Sequence, residues 1–193
     1  MNLVERVKGI LLAPDSEWRT IAAEPDDATG LFANYVAYLA AVPAICGFIG
    51  TSIIGFTIPT YGTFRVDVLS GLMAAIFQFL LAFVVVYVVA LIIDALAPTF
   101  SGTKNLPNAL KLAAYSYTPA WLAGVFLLVP GLRFLTILGL YGLYLLYKGL
   151  PVLMRSPPDK SFIYAAAVVA CAIIIGLIVG AIEASLFALP GIV

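Results

Sequence analysis

Apolar and polar positions are segregated on a long scale along this chain. Five long stretches contain no Asp, Glu, Lys or Arg: 28–64, 68–93, 112–132, 134–147 and 161–182. A helix of about 20 apolar residues crosses the roughly 30 Å hydrocarbon core of a bilayer and satisfies its own backbone hydrogen bonds there. The pattern therefore predicts an all-α fold, a polytopic integral membrane helical bundle with five transmembrane helices.

The centre of this prediction is the segment 111–154, in which two apolar runs are separated by the turn-forming sequence VPG at 129–131. Such an arrangement favours a transmembrane helical hairpin. The second run, the fourth span, has a short charge-free core. We therefore expect the flanking Arg133 and Lys148 to extend their side chains to the membrane interface.

The remaining apolar stretches, and the polar and turn-forming residues between them, give the bounds of the other spans. The first, second and fifth spans are placed near 31–57, 69–96 and 162–187. The residues between the first two spans, 58–68, are turn-like, and Asn105 or Asn108 is expected to cap the third span.

The N-terminal residues show a helical period of their own. In residues 3–13, four apolar side chains share one helical face, and Glu5, Arg6 and Lys8 lie largely opposite. Pro14 interrupts the pattern, and Asp15 or Ser16 is then expected to cap a second short helix.

Two placements of these short helices are open. Residues 1–30 form a cytoplasmic, interfacial amphipathic segment if Trp18 and Ile21 lie at headgroup depth, as in helices that rest on a lipid surface. Alternatively, the helices only cover the cytoplasmic side of the bundle. In either case residues 31–193 form the membrane domain.

The distribution of cations predicts the orientation. With five spans, Arg65 and Arg133 fall on one side of the membrane and the other eight of the ten Lys and Arg residues fall on the opposite side. Cytoplasmic segments carry the excess of cations in membrane proteins. We therefore expect a cytoplasmic N-terminus and an external C-terminus.

Composition narrows the function. The chain is 63% hydrophobic and 10% charged, it has no net charge, and it contains no histidine. A balanced charge does not favour nucleic acid as a partner, because phosphate binding needs clustered cations. Without histidine, the imidazole-based metal sites and catalytic triads are excluded. We expect no catalytic residue, cofactor or metal site.

Several residues are candidates for interaction or structure. Asp94, at the cytoplasmic end of the second span, is expected to pair with Lys104 or Lys111; the alternative is a contact with a lipid headgroup or a partner. Glu183 lies inside the fifth span, where a carboxylate usually faces the bundle or a cavity. Gly176 and Gly180, in a row of small residues, would allow close approach of an internal helix or of a second copy of the chain.

Three segments resemble the Yip domain family, in its prokaryotic branch. They are ILLAPDSEWRTIAAE, DALAPTFSGTKNLPNALKLAAYSYTPAWLAG and YGLYLLYKGLPVLMRSPPDK. Tyr115 and Pro119 match the Tyr and Pro of the family motif Gly-Tyr-x-x-x-Pro, with Ala114 in place of the glycine. The resemblance implies a helical membrane bundle without known chemistry, associated in eukaryotes with vesicle traffic and membrane shaping.

The sequence thus favours a non-enzymatic membrane protein that organises lipid or partner proteins, with a membrane or cytoplasmic protein as a partner and self-association through the fifth span. The alternative is a transporter or permeation unit for a small solute or ion. The alanine-rich spans and the absence of N-x-S/T sequons favour a bacterial plasma membrane.

Overall fold

The computed structural model describes residues 2–58 and 62–186, and the side chains within them except those of 56–58 and 183–186. The described part is all-α, as predicted. Its α-helices are α1 (Leu3–Leu12), α2 (Pro14–Ala23), α3 (Ala28–Leu31), α4 (Ala37–Phe48), α5 (Val68–Leu96), α6 (Leu106–Ser116), α7 (Thr118–Ala123), α8 (Tyr141–Leu153) and α9 (Pro158–Leu186). Shorter π-helical and 3₁₀ segments join them: Phe32–Val36, Ile49–Ile54, Ala97–Phe100, Gly124–Leu128 and Pro130–Leu140.

Four helices in the described part are long and apolar enough to cross a membrane. They are the first long helix (Ala28–Ile54), which contains α3, α4 and two π-helical turns, and then Val68–Phe100, Pro130–Leu153 and Pro158–Ile182. They correspond to the predicted first, second, fourth and fifth spans. The count of five spans is not confirmed.

The predicted third span is not one continuous helix. α6 ends at Ser116, α7 begins at Thr118, and 3₁₀ geometry follows from Gly124. This segment packs against α4, and a Cβ added at Gly124 would lie 2.6 Å from Cβ of Pro43. Only glycine permits so close an approach of the two backbones.

The connection between the first two long helices also differs from the sequence prediction. Phe56–Ile58 and Gly62–Phe64 pair as antiparallel strands, the first at the predicted end of the first span and the second in the region predicted as turn-like. The backbone of Gly62 has φ near +92°, a conformation that favours glycine.

Helix α6 lies at the centre of the bundle. All of its residues from Ala109 to Ser116 are buried, among α3, α5 and α8. α9 packs on α5 and α8, so the long helices surround α6 rather than forming a simple row. Asn105 caps α6, with its side-chain oxygen accepting from Asn108 N at 3.0 Å, which is one of the two caps expected.

The N-terminal helices are docked on the bundle. Ile10, Trp18 and Ile21 are completely buried, and α2 packs on α8. A Cβ added at Gly149 of α8 would lie 2.8 Å from Cε2 of Trp18. Because the bundle itself buries the apolar face of α2, the structure favours the second placement, in which these helices cover the bundle; that Trp18 and Ile21 lie at headgroup depth stays a prediction.

The start of α2 also differs. Pro14 occupies the first turn and no side chain caps the helix; Ser16 Oγ instead donates to the Ala13 carbonyl at 2.9 Å. Proline suits this position, because the first amides of a helix have no intrahelical acceptor and the ring presets φ.

Candidate functional site

The motif residues Tyr115 and Pro119 organise the junction of α6 and α7. Proline has no amide hydrogen, so the Tyr115 carbonyl, four residues earlier, loses its helical donor. Thr118 Oγ1 donates to that carbonyl at 2.7 Å. Because its proton is committed there, the 2.6 Å contact between Tyr35 Oη and Thr118 Oγ1 has Tyr35 as the donor. The break in α6 is thus hydrogen-bonded to the first long helix.

An aromatic cluster surrounds the Tyr115 ring. Tyr35 meets it edge to face at a centroid distance of 4.6 Å, and Trp18 lies at 6.3 Å. The guanidinium of Arg6 lies 5.6 Å from the Tyr115 ring centroid, within the range of a cation–π interaction. Side chains from α1, α2, the first long helix and α6 therefore meet at one residue.

Arg6 is the buried charge of this cluster. It forms ion pairs with Glu17 and Glu24, although only 4% of its side chain is exposed. The helical period places Arg6 opposite the apolar face of α1, yet its side chain is buried. A buried cation is tolerated when it is paired and hydrogen-bonded, and here two carboxylates from other parts of the N-terminal segment enclose it.

Lys111 forms a second link to the N-terminal segment. Its Nζ donates to the Glu24 carbonyl at 2.8 Å and to Asp26 Oδ1 at 2.9 Å. The predicted pairing of Lys111 with Asp94 is wrong, because Glu24 and Asp26, which follow α2, accept the hydrogen bonds of Lys111 instead. Asp94 forms no ion pair with any residue that the structure describes, and its Oδ1 is buried without a hydrogen-bond partner among them.

A cleft of about 790 Å³ opens beside this cluster, between the N-terminal segment, the first long helix and α6. Two carboxylates, one amide, one ammonium group and two tyrosines form its polar and aromatic lining. These polar and aromatic residues are Glu24, Asp27, Asn34, Tyr38, Lys111 and Tyr115; Leu3 and Leu31 add apolar surface. We refer to it below as the N-terminal cleft.

The remaining candidates lie elsewhere. Pro119 is buried at the α6–α7 junction. Gly176 and Gly180 are exposed on α9, and no described atom lies within 4 Å of a Cβ added at either residue. No internal helix of the described chain therefore uses this small-residue face. Glu183 belongs to α9, but its side chain lies outside those that the structure describes.

Sequence reasoning thus found Lys111 and Tyr115, which the structure brings to one cleft, but not the residues around them. Thr118 carries a usable signal, since a hydroxyl just before a helix-breaking proline can replace the missing donor. Arg6 and Tyr35 carry none that a single sequence reveals, because their partners come from other helices, and nothing in a single sequence marks Asn34 as lining a cleft.

Together the long apolar helices, the interrupted α6–α7 segment and its Tyr115–Pro119 motif define an all-helical integral membrane protein. The Yip1 domain family model matches residues 8–180, and the chain belongs to this family. It is similar to the inner membrane protein YohC of Escherichia coli K12 and of Escherichia coli O6:H1. Identity to each is 25% over 176 residues, covering 89% of this chain and 90% of the relative. No solved structure matches the chain.

Proposed function

We propose that this Yip1-family chain is a non-enzymatic membrane protein that organises lipid or a partner protein through the N-terminal cleft. The observation that carries the proposal is the cleft itself. Its volume of about 790 Å³ falls in the range of ligand sites, which are mostly apolar with a few placed polar groups.

The geometry around the cleft favours binding over catalysis. The cations that line or flank it, Arg6 and Lys111, are already held by carboxylates and a carbonyl. Such contacts fix the shape of the walls, as a preorganised binding site requires. Tyr38, with 62% of its surface exposed, is the largest exposed aromatic group at the rim.

Cross-linking in native membranes tests this function. The full tagged chain is cross-linked, and the recovered lipids and proteins are identified and quantified. Tyr38→Ala is expected to reduce recovery of the bound species, whereas Tyr87→Ala, at an exposed tyrosine of α5 outside the cleft, is expected to leave it unchanged. Equal recovery in both variants, or solute flux in proteoliposomes that depends on Glu183, would contradict the proposal.

We also propose five crossings of a bacterial plasma membrane, with the N-terminus and residues 1–30 cytoplasmic and the C-terminus outside. The charge bias supports this orientation, and the residues from Leu106 to Leu128 supply a third crossing despite the break at Tyr117. With five crossings a cysteine at Gly131 is labelled only from outside. If that cysteine is labelled only from the cytoplasmic side, the chain crosses the membrane four times.

A further inference from the structure

The polar groups of the N-terminal cleft are arranged in order along one helix. Asp27, Asn34 and Tyr38 come from the start and the next turns of the first long helix. At a rise of about 1.5 Å per residue, the distance from Asp27 to Tyr38 along the axis is about 16 Å. The cleft therefore extends from the charged connection after α2 to the exposed side of an apolar helix.

The charges in the cleft are unequally satisfied. Glu24 pairs with Arg6, and Lys111 pairs with Asp26. Asp27 has no cation partner among the described residues; its Oδ1 accepts from Gly30 N at 2.7 Å as a helix cap. Glu17 shares Arg6 with Glu24, so the cleft and its ion-pair partners hold four carboxylates and two cations, and Asp27 is the carboxylate among them without an ion pair to a described residue. This negative balance favours a cationic group in the ligand.

Donors for an anionic group are also present. An ammonium has three N–H donors, and two of those on Lys111 have acceptors within the described part of the chain. The Asn34 side chain is exposed, and neither it nor the Tyr38 hydroxyl has a hydrogen-bond partner among the described residues. These exposed groups can therefore form hydrogen bonds with a ligand in the cleft.

We propose that the N-terminal cleft binds a phospholipid whose headgroup combines a phosphodiester with a primary ammonium. The ammonium is placed at Asp27, the phosphodiester at Lys111 and Asn34, and the glycerol end at Tyr38. The inference rests on the proposed function and names its ligand. An anionic headgroup would meet Asp27 unfavourably, and a trimethylammonium headgroup lacks the N–H donors that a carboxylate accepts.

The test is native mass spectrometry of the full chain in detergent. The protein is offered phosphatidylethanolamine, phosphatidylcholine and phosphatidylglycerol with identical acyl chains. The wild-type chain is expected to retain phosphatidylethanolamine preferentially. Asp27→Asn keeps an oxygen for the helix cap, since Asn and Asp cap about equally well, and removes the charge. Its binding is expected to be roughly two- to fivefold weaker, as for one partly exposed ion pair.

Asp67→Asn is the matched control. Asp67 also caps a helix, accepting from Leu69 N and Ser70 N at 3.1 Å, and it does not line the cleft. Its lipid preference is expected to equal that of the wild-type chain. Equal retention of the three lipids, or an unchanged preference in a folded Asp27→Asn chain, overturns the inference.

The source of the headgroup is tested in the same samples with glycerophosphoethanolamine. If the water-soluble headgroup displaces the lipid at equal concentration, the lipid is not the occupant and the inference fails. A protein recovered from native membranes in a Tyr38-dependent manner, without a lipid preference, would leave the proposed function standing and overturn only this inference.

Discussion

At the scale of single residues, Thr118 replaces the hydrogen bond that Pro119 removes. Its hydroxyl satisfies the Tyr115 carbonyl and receives the Tyr35 hydroxyl, all three in the protein interior. One buried hydroxyl thus forms hydrogen bonds with both the Tyr35 hydroxyl and the Tyr115 carbonyl. The motif proline is therefore accommodated by a neighbour that the motif does not specify.

Thr118→Val tests this role because valine keeps the shape and removes the hydroxyl. It removes the hydrogen bond that the buried Tyr35 hydroxyl makes with Thr118 and one hydrogen bond to the Tyr115 carbonyl, so we expect the free energy of unfolding in detergent to fall by about 1–3 kcal/mol. Thermal or denaturant unfolding measures it. Thr136→Val is the control, since the Thr136 hydroxyl contacts only its local Arg133 carbonyl and is exposed. Equal losses in the two variants would show that the Tyr35 bridge contributes nothing.

At the scale of elements, the close approach of α2 and α8 joins the N-terminal helices to the bundle. Gly149 provides the space that the Trp18 ring occupies, with the Leu112 side chain on the same spot. The ion pair of Lys148 with Asp15, at 3.0 Å, lies beside it on the surface. Because this ion pair is exposed to solvent, it contributes little to the stability of the docked state, and apolar packing contributes most of it.

Gly149→Val places a branched side chain in that space. We expect overpacking to destabilise the docked state by about 1–3 kcal/mol and to increase tryptic cleavage after the exposed Lys8 and Arg19. Gly131→Val is the comparison, because no described atom lies within 4 Å of its added Cβ. If the two variants are cleaved at the same rate, Gly149 does not hold the helices together.

The elements were more predictable than their contacts. Bilayer thickness constrains the apolar runs, so helices such as α5 begin and end close to the predicted bounds, and the two N-terminal helices follow from a 3.6-residue period and Pro14. Pro119 identifies the carbonyl that loses its donor, but the break was missed because a proline in an apolar run does not reveal whether the helix only bends or ends there. The burial of Arg6 was not predicted, because a helical projection cannot show that Glu17 and Glu24 enclose it.

At the scale of the whole molecule, one face of α9 has no neighbour among the residues that the structure describes. Gly176 and Gly180 lie on that face, and the packing of α9 on α5 and α8 uses its earlier turns, such as those of Tyr164 and Val168. Small residues favour close helix association in membranes. Self-association through the predicted fifth span therefore stays a prediction. It would use a face of α9 that packs against no described part of the chain.

Gly176→Leu and Gly180→Leu together separate the two explanations for this face. We expect no loss of stability in the monomer, since the added side chains meet open space, and a fall in the cross-linked dimer fraction in native membranes. Leu177→Ala, at an exposed residue next to them, is the control for general effects on α9. An unchanged dimer fraction, or no dimer in the wild-type chain, would remove this interface.

The docked N-terminal helices also impose an order on biosynthesis. Asp15 pairs with Lys148, which is 133 positions later in the chain, and at about 5–20 residues per second that separation takes roughly 7–27 s to translate. Until then the apolar side chains of Ile10, Trp18 and Ile21 have not met α8, and the bilayer surface is the nearest apolar phase. A photo-cross-linker at position 18 is expected to react with lipid in stalled nascent chains and with α8 in the finished protein.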